Sequence, residues 1–508
     1  MRDVSFPLGV FVVVWTLLTF SSTQLPLTWD EGEMAARVDA ASQGVWRGTV
    51  MEEGHPQFPI VLTALGSMVC PTFFSEETRL RFGVILWFSA ALATVSHRLR
   101  REFSTETAVF GIISILLVPR LFAHAQIAAW DSPLTASWLF VWALFPRNHD
   151  SSFRVATLWG VFLGIAFASK FPGWAAPLPF VVWTLCRFRY YEIKVVDLGK
   201  RTLVIGVTAL LVFFLLNPPL WGGPFDGLRI FFELNTQREL NISIMFLGKL
   251  YDLHHSLPWY NTLFWTVITV PVGLLGLFVV GLQETIRDAP KRQAGLLILL
   301  NMATPLILRA LPGTPVHDGV RLFVTAFPFL AMLAAIGAAS LWTTWKKRIL
   351  IVTVYGACVF NMLWYAPQWL SFYNLAVGGL PGAVRIGMEP TYYWDALDQQ
   401  TLDWINANTQ PDECVVFSYG SHRTLTFYRC ANRLQPEFLA VFEDILPDDF
   451  QKRNGRWYVL QRRTGMLLDH DQELIARHVP VYVKTIRNGG IGPWNLRAVP
   501  LLEIYELK

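Results

Sequence analysis

Long apolar runs fill the chain from residue 6 to residue 365, and short alternating stretches replace them afterwards. A helix of about 20 apolar residues crosses a bilayer. Such runs are read at 6–22, 79–97, 105–122, 131–146, 154–170, 172–186, 202–219, 260–282, 293–309, 321–342 and 349–365, which predicts about eleven transmembrane helices. Residues 56–71 are apolar but short and bounded by prolines. Residues 33–46 place Met34, Val38, Ala41 and Val45 on one face and Glu33, Arg37 and Gln43 elsewhere. Both stretches predict helices lying in the interface and framing a groove at the bilayer surface. From Pro390 onward the pattern predicts helices at Leu397–Ala407 and Asp469–His478, with strands at 414–417, 457–460, 480–485 and 501–506. The expected architecture is an all-α polytopic membrane domain over 1–365, followed by a connecting segment and a small α/β domain over 366–508.

Composition sharpens this reading. The chain is 53% hydrophobic and only 16% charged, where soluble chains carry about 25% charged residues. The 21 Trp and 37 Phe suit helices ending in aromatic belts. A formal charge of +4 implies no nucleic-acid partner. The run from Phe6 to Phe20 follows Arg2, and 21–26 offer no small-x-small cleavage site, so an uncleaved first span is expected.

Orientation follows from the basic clusters. Arg98, Arg100 and Arg101, then Arg147 and Arg154, then Arg187, Arg189, Lys194, Lys200 and Arg201 fall on one side of the predicted threading. Arg287, Lys291 and Arg292, and finally Lys346, Lys347 and Arg348, fall there too. That side is cytoplasmic by the positive-inside rule, which puts the N-terminus in the cytoplasm. Asp30, Glu31, His55, Asp131, Lys170, His254, His255, His317, Asp318 and Arg321 are then expected on the outer face with the C-terminal domain. Cys414 and Cys430 lie in that domain, as a disulfide or as two free thiols.

Ionisable groups beside hydrocarbon are costly and point to a site. Asp30 and Glu31 are adjacent acids just beyond the first apolar run, although an acid there also stabilises the first turn of the 33–46 helix. Asp131 reads equally as a helix-start residue ahead of Pro133 or as an orienting acid. Lys170 and Arg321 stand at the ends of apolar runs, either as site cations or as headgroup-directed side chains. His55 is either a further site residue or a cap of the interfacial helix. His317 and Asp318 supply only two ligands, so no metal and no cofactor is expected. The loop 220–259, with His254 and His255, reads as a lid or acceptor surface.

These residues fall in motifs that resemble the GT-C-fold glycosyltransferases using polyprenyl-phosphate sugars, in particular the family 39-like group of protein-O-mannosyltransferases and aminoarabinose transferases. Trp29-Asp30-Glu31-Gly32-Glu33 resembles that group's Asp-Glu motif, and Gly54-His55-Pro56-Gln57-Phe58 its His-Pro-Pro motif, with Gln57 where a second proline is usual. Trp130-Asp131-Ser132-Pro133-Leu134 is similar to its second acidic motif, and Ser169-Lys170-Phe171-Pro172-Gly173 to its Lys-x-Pro turn. His317 to Phe323 and Tyr373 to Gly379 are similar to stretches of bacterial members. The resemblance covers roughly 6–365 and implies a GT-C-like fold. It also implies transfer of a hexose or pentose from a polyprenyl-phosphate donor to a hydroxyl acceptor on the extracytoplasmic face of the plasma or inner membrane, with inversion. Under it, Asp30, Glu31 and Asp131 are the catalytic candidates, with Asp30 the base and Glu31 its runner-up. His55, Lys170, His317, Asp318 and Arg321 are the donor-phosphate candidates, with Lys170 and Arg321 offsetting the charge of the leaving phosphate.

Competing readings are a transporter or flippase, a non-catalytic scaffold, and a GT-C enzyme that moves a whole oligosaccharide. A transporter is expected to show internal repeats and mid-membrane charges, and neither is read here. A scaffold needs no ordered series of acidic, His-Pro and Lys-Pro motifs.

Overall fold

The computed structural model describes residues 4–146, 152–187, 195–237, 242–441, 454–486 and 499–507. Arg2, Arg147, Arg189 and Lys194 of the basic clusters therefore lie outside the described residues.

Two almost wholly buried helices, Asp131–Leu144 and Ala326–Leu341, form the centre of the bundle. A helix apolar around its full circumference belongs inside protein, and both sequences fit that description. Their starts are tied by a Thr135–Thr325 hydroxyl contact of 3.0 Å. Glu76–Glu102 and Phe153–Phe167 pack on the first helix, and Thr105–Leu116, Val272–Arg287, Ala289–Ala310 and Trp345–Tyr365 on the second.

Among the described residues, five helices are long and apolar enough to cross a membrane: Ser5–Ser22, Glu76–Glu102, Leu198–Leu215, Lys291–Ala310 and Trp345–Tyr365. Several other expected spans are shorter apolar helices, including Thr105–Leu116, Phe153–Phe167 and Ala326–Leu341.

The expected span 260–282 requires correction. Asn261–Thr269 and Val272–Arg287 meet at 117°, because Pro271 removes a backbone donor and holds Val270 extended. The expected 105–122 helix likewise stops at Leu116 and resumes at Pro119–His124, with Val118 extended ahead of the proline. The 321–342 helix begins late, at Ala326. Asp318 adopts a left-handed conformation (φ 61°), and Gly319–Phe323 form a tight 3-10 turn before the helix proper. This irregular backbone is buried in protein, the setting in which a membrane tolerates it.

The first loop carries two helices, Trp29–Ser42 and Phe58–Val69, near the stretches expected in the interface. Leu65, Met68, Val69 and Phe73 are exposed, an apolar edge suited to acyl chains.

The C-terminal part is α/β, as its pattern predicts. Strands β1 (Ile244–Phe246) and β2 (Lys249–Tyr251) form a hairpin within the 220–259 loop. Strands β3 (Cys414–Ser418), β4 (Glu437–Val441), β5 (Gly455–Gln461), β6 (Tyr482–Thr485) and β7 (Pro500–Glu506) form one sheet in the order β4-β3-β5-β7-β6. β3 pairs parallel with β4 and β5, and β7 runs antiparallel to β5 and β6. Helices Gln399–Asn408 and Asp469–Arg477 lie close to their expected positions, while β4 and helix His422–Cys430 were not foreseen. Cys414 and Cys430 are not joined to each other as a disulfide.

Helix His422–Cys430 lies across Trp29–Ser42. Thr424 Oγ1 donates at 3.3 Å to the carbonyls of Thr28 and Trp29, and the Tyr428 hydroxyl accepts from Leu27 N at 2.7 Å. Gly32 permits the crossing, since a Cβ there would lie 2.3 Å from Thr424 N. The domain thus sits directly over the first loop.

Candidate active site

The N-terminal ends of the two central helices bring the candidate residues together. Asp131 occupies the first turn of one, and Arg321 lies in the 3-10 turn that feeds the other. Arg321 Nε donates to Asp131 Oδ2 at 2.7 Å, Nη1 donates to Asp318 Oδ2 at 2.5 Å, and Nη2 is paired with Asp30 Oδ2. Lys170 Nζ donates to the other Asp131 oxygen at 2.6 Å. One guanidinium therefore binds three carboxylates delivered by segments about 290, 190 and 3 positions away in sequence. The Tyr393 ring lies beneath it, 4.3 Å from the guanidinium carbon.

Arg463 reaches the cluster from the C-terminal domain, with Nη2 at 2.9 Å from Asp318 Oδ1. Three acids (Asp30, Asp131, Asp318) thus face three cations (Lys170, Arg321, Arg463), and the cluster is formally neutral. Burial raises the affinity of the Asp318 carboxyl for a proton, but Arg463 and Arg321 outweigh burial and hold it down at about 2. His317, 3.9 Å from Asp318, is pushed by burial down to about 3, so its imidazole is neutral at physiological pH.

Exposure separates the three acids. Asp131 and Asp318 keep 4% of their side-chain surface, and Asp30 keeps 19%. Lys170 and His55 are also partly open, at 15% and 20%. His55 stacks on Trp130 with ring centres 4.6 Å apart, and Trp130 Nε1 donates to the Pro56 carbonyl. Arg37 covers Trp130 at 4.9 Å and pairs with Glu53 at 2.7 Å. Asp30 and Lys170 are therefore the open members of the cluster, and His55 stacks on Trp130, the residue before Asp131.

Glu31 points elsewhere. Its oxygens accept from Arg81 Nε at 2.6 Å and Nη2 at 2.8 Å, with both side chains fully buried, and from the Thr28 and Ala128 amides. It is the acid half of a capping box at the start of Trp29–Ser42. Breaking such a pair strands a buried guanidinium. Glu31→Gln is expected to cost about 3–5 kcal/mol of stability, seen as a lowered melting temperature in detergent, while the Arg321 cluster stays assembled.

His254 and His255 lie outside the cluster in an exposed loop, where His255 pairs with Asp252 at 2.9 Å. Among the described residues, no group of three or more His, Cys, Asp or Glu is placed to hold a metal ion.

Sequence reasoning missed Tyr393, Trp394, Arg463 and Glu389. In sequence Arg463 belongs to an Arg462-Arg463 pair that reads as a solvated surface, and nothing local marks it. Glu389 is fully buried. Its Oε1 accepts from Gly465 N at 2.7 Å and from Met245 N at 3.2 Å, joining the 463–466 loop to the β1–β2 hairpin. Burial raises its carboxyl to about 7 against Arg463, from an ordinary 4.5. The folded state therefore holds a proton that the unfolded chain has released between those values. That stabilisation is complete below pH 4.5 and is lost as pH rises through 7, an effect on the order of 3 kcal/mol. Glu389→Gln keeps the acceptor oxygen without the titration, so melting temperatures followed from about pH 5 to pH 8 are expected to fall less than in the wild type.

Fold and site together define a polytopic membrane protein with a charge-balanced polar site at one end of its helical bundle, roofed by an α/β domain. Residues 55–221 match the family of dolichyl-phosphate-mannose-protein mannosyltransferases. The fold is similar to that of ArnT from Cupriavidus metallidurans bound to undecaprenyl phosphate, at 16% identity and a TM-score of 0.53 over 99% of this chain and 97% of that one. ArnT in the apo state gives 16% identity and a TM-score of 0.51 over 99% and 98% of the two chains. No curated protein matches the chain in sequence. The resemblance read from the motifs stands: the chain has the GT-C fold of the protein-mannosyltransferase and ArnT glycosyltransferase type.

Proposed function

We propose that the protein moves a sugar from a polyprenyl-phosphate donor to a hydroxyl acceptor on the extracytoplasmic face of the cell membrane, with inversion at the anomeric carbon. The observation that carries this reading is the meeting of Asp30, Asp131, Lys170, Asp318 and Arg321 in one cluster beside the first-loop helices. The undecaprenyl phosphate bound to ArnT supports a donor of that class. Basic clusters gathered on the opposite loops support a cytoplasmic N-terminus in a multi-pass arrangement. Catalysis belongs to 1–365, and 366–508 roofs the site.

Chemically, Asp30 is the acid with room for an acceptor. It takes the acceptor's hydroxyl proton as the oxygen attacks the anomeric carbon, and the bond from that carbon to the phosphate oxygen breaks on the opposite face. Polyprenyl phosphate departs with the bonding pair. Lys170 and His55, both partly open, receive the phosphate, and Arg321 limits charge build-up between them. Asp131 aims Lys170 and Arg321, while His317 and Asp318 hold the far side of Arg321. Glu31 serves the fold through Arg81.

The test is direct: incubate purified protein with a panel of polyprenyl-phosphate sugars and acceptor extracts, and measure released polyprenyl phosphate. Release from at least one donor is expected, and silence across the whole panel favours the scaffold reading.

A further inference from the structure

We infer that Arg463, supplied by the C-terminal domain, is a positioning residue for the transfer site; this rests on the function proposed above. It stands two residues beyond β5, is 1% exposed, and engages two groups at once. Nη2 pairs with Asp318 Oδ1 at 2.9 Å, and the guanidinium carbon sits 3.8 Å over the Trp394 ring. Both partners are non-glycine residues in left-handed backbone, Asp318 at φ 61° and Trp394 at φ 53°. Such conformations cost on the order of 1–3 kcal/mol each and persist only where their surroundings over-determine them. One side chain from a distant domain restrains both.

The restraint passes into the site. Asp318 receives Arg321 Nη1 on its other oxygen, and Arg321 holds Asp30 and Asp131. Without Arg463, the ion pairs left to the three carboxylates are those with Lys170 and Arg321, and the left-handed turn loses its anchor. Lysine does not replace arginine here, because a point charge on a flexible stem cannot lay a planar cation over Trp394 while it reaches Asp318. The loop is also wedged sterically. A Cβ at Gly465 would lie 2.7 Å from Glu389 Oε1 and 2.8 Å from Ile244 Cα, so only glycine lets the loop seat this deeply.

The experiment compares full-length wild type, Arg463→Met and Arg463→Lys in the polyprenyl-phosphate release assay, with kcat and donor KM resolved separately. Arg463→Met is expected to lower kcat about 100-fold with KM within about threefold, and Arg463→Lys to lower kcat about tenfold. In an Asp318→Asn background, Arg463→Met should cost less than about threefold more, as expected for two parts of one contact. Amide exchange over 315–323 should accelerate at least about tenfold in Arg463→Met. Wild-type kcat in Arg463→Met, fully multiplicative losses in the double variant, or unchanged exchange each overturn the inference. Should Arg463→Met fail to fold, an unaltered kcat in Arg463→Lys overturns it and a tenfold loss supports it. A wild type that releases nothing sinks the proposed function instead, and the exchange measurement then decides the role of Arg463.

Discussion

Arg321→Met is expected to abolish transfer and to destabilise the protein by about 3–5 kcal/mol, the cost of removing one partner from a buried ionic network. The reason is the sharing of one guanidinium by Asp30, Asp131 and Asp318. Removing it leaves the three carboxylates facing one another, with Lys170 and Arg463 each able to reach only one of them. Arg321→Lys keeps the charge but not the fork, so it should retain most of the stability and lose at least about 100-fold in kcat. Melting temperature and release kinetics on the two variants separate charge from geometry. Full activity in Arg321→Met rules out a joint role for the cluster.

For Asp30→Asn the expected result is a loss of about 10³-fold or more in kcat with little change in donor KM, the signature of a group that acts in the transition state. Stability should move little, because Asp30 is the most exposed of the three acids and Arg321 retains its other two partners. Asn keeps the shape and removes the proton acceptor. A folded Asp30→Asn protein with undiminished transfer takes Asp30 out of the mechanism and moves attention to Asp131. A large rise in donor KM at constant kcat assigns Asp30 to donor binding instead.

Much of this was legible residue by residue. Asp30, Asp131, Lys170 and Arg321 were identifiable because charge beside long apolar runs is costly and therefore meaningful. Glu31 shows the limit of that logic. It adjoins Asp30 in sequence, yet one step along a helix turns a side chain by about 100°, and Glu31 is directed into Arg81 rather than the open site. The break at Pro271 was equally present in the sequence, but a continuous apolar run concealed it. Helix His422–Cys430 and strand β4 were not read from the sequence; in the fold the helix packs on Trp29–Ser42 and β4 pairs with β3.

Local chemistry determined, from the sequence alone, that the chain is largely membrane-embedded, that it ends in an α/β unit, and which acids and cations stand beside the apolar segments. Those properties follow from short-range hydropathy and periodicity. Tertiary structure decided which of them meet: Arg321 gathers Asp30 and Asp131, Glu31 is spent on Arg81, and Arg463 enters from more than 140 positions beyond Asp318. Such pairings depend on how buried charges find partners across the whole fold, and spacing along a chain carries no record of that.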